Sequence, residues 1–91
     1  MVETVWVGID VGRHAHHAAA VDDNGAVLWS RRICNDQAEI EALLERVADV
    51  ESAVWAIDMT APESALLRGV LHSHRQQVRY VPGRVVHSMT G

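Results

Sequence analysis

The sequence predicts an α/β domain built on one mixed five-stranded sheet, and three observations carry that prediction. The run Val5-Trp6-Val7-Gly8-Ile9-Asp10-Val11-Gly12 is almost continuously apolar or small and ends in a carboxylate, the pattern of a strand buried on both faces. A second run of the same form, Ala53-Val54-Trp55-Ala56-Ile57-Asp58, follows a segment of helical period, as a parallel strand reached by a crossover does. Between the two, Asp23-Asn24-Gly25 marks a tight hairpin, because Asn-Gly favours positive φ angles.

The first strand ends at Asp10. A charged group at the end of a buried strand is costly unless it has hydrogen-bond partners or a cation. From the strand alone, Asp10 is either a cap on the following turn or a ligand for a metal or phosphate. Residues 16–22 form a second strand of weak propensity, since Ala is a poor strand former. Residues 26–33 form a third, antiparallel to it, with Val27, Trp29 and Arg31 on one face and Leu28, Ser30 and Arg32 on the other.

A helix follows, with Asp36 as N-cap and Glu39 in capping-box position. Its apolar stripe is Ile40, Leu43, Leu44 and Val47. After the fourth strand, Thr60-Ala61-Pro62-Glu63 opens a second helix through another capping box, with Pro tolerated in the first turn. That helix runs towards Arg75 with Leu66, Leu67, Val70 and Leu71 facing inward, and Gly69 permits a close approach to the sheet. His72, His74 and Arg75 at its C-terminal end meet the helix dipole favourably. Residues 77–81 form the fifth strand, stopped by Pro82-Gly83, and residues 84–91 read as the beginning of another helix. Three strands in a meander followed by right-handed crossovers give the order 3-2-1-4-5, with the second strand antiparallel to the others. That is the ribonuclease-H-like arrangement.

Composition narrows the function classes. Ninety-one residues make one domain, and a hydrophobic share of 48% supports a core. No stretch is long enough to span a membrane and no signal peptide opens the chain, so a cytoplasmic protein is expected. Cys34 is alone, which excludes an intrachain disulfide and a cysteine-based zinc site. All eight basic residues are Arg, consistent with a GC-rich bacterial source. A net charge of −4 argues against a strong autonomous binder of duplex DNA. The charge is uneven, however. Residues 1–63 hold twelve acids and four Arg, a balance of −8, whereas residues 64–91 hold Arg68, Arg75, Arg79 and Arg84 and no acid, a balance of +4.

In an open α/β sheet, ligands bind outside the carboxyl ends of the strands at the point where the connections diverge. Here that point lies between the first and fourth strands, so Asp10 and Asp58 converge. Two adjacent carboxylates repel unless one protonates or a cation lies between them. Hard oxygen ligands suit Mg²⁺ or Mn²⁺. Two such ions roughly 4 Å apart can hold the attacking and leaving oxygens of a phosphodiester in line. A full site of that kind needs three or four acids, and none follows Glu63, so the set is incomplete within these residues. Asp22, Asp23, Asp36 and Asp49 read as local caps or solvated groups. His14, His16 and His17 read as ordinary strand and loop residues rather than a zinc site, and Cys34 as a small hydrophobe at a strand end. Trp6, Trp29 and Trp55 read as core or covering residues, with Trp29 the one to consider for a dimer contact. Arg79 and Arg84 are the candidates for phosphate contact.

Three segments, GIDVGRHAHHAAAVDDNG, WAIDMTAPESALL and QVRYVPGRVVHSM, resemble in order and spacing the N-terminal domain of the DEDD-type insertion-sequence transposases. These are site-specific recombinases with a Holliday-junction-resolvase (RuvC)-like domain, related to the Piv-type DNA invertases. The resemblance covers essentially the whole chain. It implies that Asp10 and Asp58 are the first two catalytic, metal-binding acids and that Mg²⁺ or Mn²⁺ is the cofactor. It places the last two acids on a helix beyond residue 91. It also implies a C-terminal domain with a serine used in strand exchange, DNA and a structured, element-encoded RNA as partners, and homo-oligomers. This chain then reads as a single, C-terminally truncated catalytic-domain fragment, residues 1–91, inactive by itself. Two departures stand out. The second acid is often Glu in the family and is Asp58 here, one methylene shorter. The residue after Asp-x-Gly is often Lys and is Arg13 here, still cationic and able to meet a phosphate.

Two other readings fit parts of the sequence. An actin-like or sugar-kinase-like ATPase lobe also carries Asp-x-Gly after a buried strand, where glycine lets backbone amides approach a phosphate. Such lobes usually continue with Ser or Thr, where this chain has Arg13-His14. The third reading is a non-catalytic nucleic-acid-binding or dimerisation module on the same fold.

Overall fold

All five expected strands and both helices are present in the computed structural model, which describes residues 4–58, 62–82 and 84–86. The order is β1 (Thr4–Asp10), β2 (Ala15–Val21), β3 (Val27–Cys34), α1 (Gln37–Arg46), β4 (Ser52–Asp58), a 3₁₀ turn (Pro62–Ser64), α2 (Ala65–Ser73) and β5 (Gln77–Val81). They form one sheet ordered β3-β2-β1-β4-β5. β1 pairs antiparallel with β2 and parallel with β4, and β4 pairs parallel with β5. The mixed five-stranded sheet derived from the sequence is therefore the observed one, strand for strand.

Alternation along β1 divides the molecule. Val5, Val7 and Ile9 point to the face on which both helices pack, together with Ala18, Ala20, Ile33, Trp55 and Ile57. Ile40 and Leu43 from α1 and Leu67 and Leu71 from α2 close this core at no more than 1% exposure. Each such side chain contributes about 2 kcal/mol on burial. Trp6, Gly8 and Asp10 point the other way, to a face that neither α1 nor α2 covers, and Trp6 stands 38% exposed there.

The three tryptophans occupy three environments. Trp55 is fully buried, and its indole N–H donates to Gln76 Oε1 at 2.9 Å, which ties the loop after α2 to the core. Trp29 lies partly buried on the helix side with the Arg46 guanidinium 5.2 Å from its ring centre, an intramolecular cation–π contact. Cys34 ends β3, the strand end expected for it, and is exposed there.

Local chemistry explains the element ends. The β2–β3 hairpin is a turn in which Gly25 N–H donates to the Asp22 carbonyl, with Gly25 alone at positive φ, 82°. The Asp22 carboxylate accepts the amides of Asn24 and Ala26, both at 2.9 Å. The chain thus uses a longer loop with one left-handed Gly instead of a two-residue Asn-Gly turn. Asp36 caps α1 by accepting the Glu39 amide at 2.8 Å, while the Glu39 carboxylate reaches back to the Cys34 amide rather than to Asp36. The second capping box begins at Thr60, outside the described residues; within them, α2 is preceded by the 3₁₀ turn.

Two expectations for α2 are corrected. Leu66 is 38% exposed, so the inward stripe is Leu67, Val70 and Leu71. Gly69 is exposed and a Cβ added to it would meet nothing within 4 Å, so it makes no close approach to the sheet. The helix ends in a paired arrangement: Gln76 N–H donates to the Leu71 carbonyl and Arg75 N–H to the His72 carbonyl, with Arg75 in the left-handed region at φ 57°. Glycine is the usual residue at that position because it lacks the Cβ that crowds the following carbonyl.

Both α2 features yield predictions. Gly69→Ala replaces a helix-interior glycine in open space and raises stability by about 1 kcal/mol. Arg75→Gly relieves the left-handed backbone and stabilises by a similar amount, about 1 kcal/mol. Urea denaturation checks both, and the midpoint rises in each variant with the slope unchanged.

Candidate functional site

Asp10 and Asp58 end the two central parallel strands. Ile9 and Ile57 are register partners, so the next residue on each strand is a carboxylate at the carboxyl edge of the sheet. Adjacent strands lie about 4.8 Å apart, which places the two acids side by side. Both belong to the face opposite the helices; Asp10 is exposed and Asp58 half-buried.

The turn after Asp10 is held by a residue that sequence reasoning passed over. His16 is 1% exposed, and its Nδ1 accepts the Gly12 amide at 3.1 Å. The ring proton therefore sits on Nε2, which donates to Asn35 Oδ1 at 3.0 Å. Asn35 is fixed in turn by its own amide, which donates to the His14 carbonyl at 3.0 Å. One buried imidazole thus bridges the turn after β1 to the loop after β3. Gly12 has no room for a side chain, because a Cβ there would collide with the Ala15 carbonyl oxygen. Asp10-Val11-Gly12 is a constrained turn, and the carboxylate is held at its start.

The cationic candidates are more dispersed. Arg13 is exposed in the loop that follows Asp10. Arg79 is the register partner of Ala56, so it shares the open face with Asp58 one strand over and two residues back. Arg84 is exposed in the helical residues 84–86 that follow β5. The sheet thus brings Asp10, Asp58 and Arg79 to one face, with Arg13 on the loop after β1 and Arg84 in the helical residues after β5, at the same end. Asp10 also lines an open concavity of about 270 Å³ with His17 and Arg32. Neither His17 nor Arg32 was a sequence candidate. Strand alternation gives each a face, but only the pairing register puts both in the row of Asp10.

Among the described residues, no group of three or more His, Cys, Asp or Glu side chains could hold an ion. Two carboxylates do fit Mg²⁺, which keeps several waters and commonly binds through one or two carboxylates plus substrate phosphate oxygens. A larger cleft, about 720 Å³, lies at the amino ends of β4 and β5, where Glu41, Glu45 and Glu51 face His74 and Arg75. Chemistry in an open α/β sheet sits at the carboxyl ends, so Asp10 and Asp58 outweigh the larger volume.

Comparison with known proteins decides the family. The sequence pattern of the DEDD transposases of IS110 type, described as a transposase, matches residues 7–91. The chain belongs to this family. A protein of insertion element IS116 from Streptomyces clavuligerus is 43% identical over 89 residues, covering 98% of this chain and 22% of that protein. A protein of insertion element IS900 from Mycobacterium paratuberculosis is 37% identical over 94 residues, covering 100% of this chain and 24% of that protein. The chain thus spans about a quarter of the length of the curated relatives it matches. Among solved structures, a ROK family glucokinase from Streptomyces griseus, in complex with glucose and AMPPNP, superposes with a TM-score of 0.50. It shares 17% sequence identity over 86% of this chain and 33% of its own, which is a likeness of fold alone. Among the described residues, no helix is long and apolar enough to cross a membrane.

The His16 bridge can be tested directly. His16→Ala removes a buried ring and both of its hydrogen bonds, and costs about 2–4 kcal/mol of stability. Amide exchange checks the mechanism: the Gly12 amide exchanges faster in the variant, beyond the change at β1 amides.

Proposed function

We propose that this chain is the metal-binding portion of the catalytic domain of an insertion-element transposase, on a ribonuclease-H-like (RuvC-like) fold, acting in DNA strand cleavage and transfer as part of the longer protein. One observation carries the reading: in a chain of this family, Asp10 and Asp58 end adjacent parallel strands at the carboxyl edge of the sheet. Side-by-side carboxylates on an exposed edge are a repulsive arrangement that a divalent cation relieves.

Asp10 and Asp58 would hold Mg²⁺ or Mn²⁺, which when bound supplies a Lewis acid for phosphodiester oxygens and a template for in-line displacement. The chain's own residues do the positioning. The His16–Asn35 bridge fixes the turn that starts at Asp10, and β4 presents Asp58 at the same level. Arg13, Arg79 and Arg84 surround the carboxylate edge with positive charge that attracts the DNA backbone without reading its sequence. The glucokinase likeness supports the shared sheet and does not favour nucleotide chemistry here.

The test uses the longer protein that carries this domain, in a strand-cleavage assay on its own element ends. Asp10→Asn and Asp58→Asn each keep the side-chain size and remove the charge, and each lowers the cleavage rate by about two to three orders of magnitude, several kcal/mol of charge stabilisation. Asp58→Glu restores the longer acid common in the family and retains activity. Full cleavage by both Asn variants would overturn the assignment.

A further inference from the structure

The carboxylate pair leaves unexplained a cationic flank on the same face. Register partners across the open face run from Asp10 on β1 to His17 on β2, and from His17 to Arg32 on β3. Neighbouring strands are about 4.8 Å apart, so Arg32 begins roughly 10 Å from Asp10 on the side away from Asp58. Asp10, His17 and Arg32 nevertheless line one concavity, together with Gly12, Ala15 and His16. The imidazole between the two charges is anchored, with His17 Nε2 2.6 Å from the Ser30 hydroxyl oxygen. Glu41 pairs with His74 at the other end of the sheet, and among the described residues no carboxylate is bonded to the Arg32 guanidinium.

We propose that Arg32 and His17 form a subsite for a backbone phosphate of a nucleic-acid strand, next to the phosphate that lies over Asp10 and Asp58. Two carboxylates repel a polyanion, so a strand crossing them must be held by cations beside them. Arg32 is a suitable cation: its planar fork matches two phosphate oxygens and it is weakly hydrated. His17, held by Ser30, separates Arg32 from Asp10, which keeps the guanidinium from folding onto the carboxylate. Such a contact positions the backbone without reading bases, as a site that acts on the backbone requires. The inference rests on the metal-site reading only for the identity of the neighbouring phosphate; the subsite itself stands on the register and the shared concavity.

The experiment is fluorescence anisotropy of a labelled oligothymidylate with this chain in Mg²⁺, across a range of salt. Arg32→Ala weakens binding about fivefold to tenfold and lowers the salt slope by about 0.7, the value for one contact to a single strand. Arg32→Lys recovers part of the affinity as a point charge. Arg31→Ala, one residue earlier and on the helix-covered face, leaves affinity and slope unchanged. A methylphosphonate version of the oligonucleotide, with no backbone charge, binds without regard to Arg32, which separates backbone phosphate from base contact. Unchanged binding in Arg32→Ala, an equal loss in Arg31→Ala, or no binding by the wild-type chain overturns the subsite. Failure of the metal-site reading looks different: cleavage persists in Asp10→Asn while the Arg32 effect on binding remains.

Discussion

The pairing register of β1 is the constraint on which the rest depends. β1 is the only described strand bonded to an antiparallel neighbour on one side and a parallel one on the other. Its burial is one-sided in a way that leaves no freedom: Val5, Val7 and Ile9 lie at 2% exposure or less among the helices. A slip of one residue would turn that apolar set to the open face and Asp10 into the core. The transfer energy of three buried aliphatic side chains, each about 2 kcal/mol, and the cost of burying a carboxylate both oppose the slip. The register that buries the core is therefore also the one that presents Asp10 beside Asp58 and His17.

The two faces of the sheet divide stability from chemistry. On one, α1 and α2 close over aliphatic residues and Trp55, with the Trp55 indole satisfied by Gln76. On the other, Asp10, Asp58, Arg32 and Arg79 sit on strands whose backs are anchored in that core. These charged groups share their face with the buried Ala19, Val54 and Ala56, and the strands that carry them are fixed by the core behind. The His16 bridge adds precision where the strand ends and the backbone would otherwise loosen, as residues that support a site from behind commonly do.

Much of this was legible in the sequence, for identifiable reasons. The five strands and their order follow from buried runs, a turn signal and the handedness of crossovers, and the run before Pro82-Gly83 has the bounds of β5, Gln77–Val81. The pairing of Asp10 with Asp58 followed from topology alone. What remained hidden was of another kind. His16 sits in a triplet of histidines that looks solvated, and nothing local reveals that one ring is buried between Gly12 and Asn35. Arg32 and His17 come together only through the β2–β3 register, which passes through an irregularity at Ala20 and Val21 that strand alternation does not announce. A glycine inside a helix usually has a packing reason, but Gly69 faces open space and is a plain cost in helix propensity.

The central claim is that Asp10 and Asp58 act as one cation-binding pair, and crystals of this chain grown with Mn²⁺ test it most directly. The account predicts anomalous density bonded to carboxylate oxygens of both residues, at the carboxyl edge between β1 and β4. Density confined to the cleft of Glu41, Glu45 and Glu51, or carboxylates turned back onto their own loops with no ion between them, would contradict it.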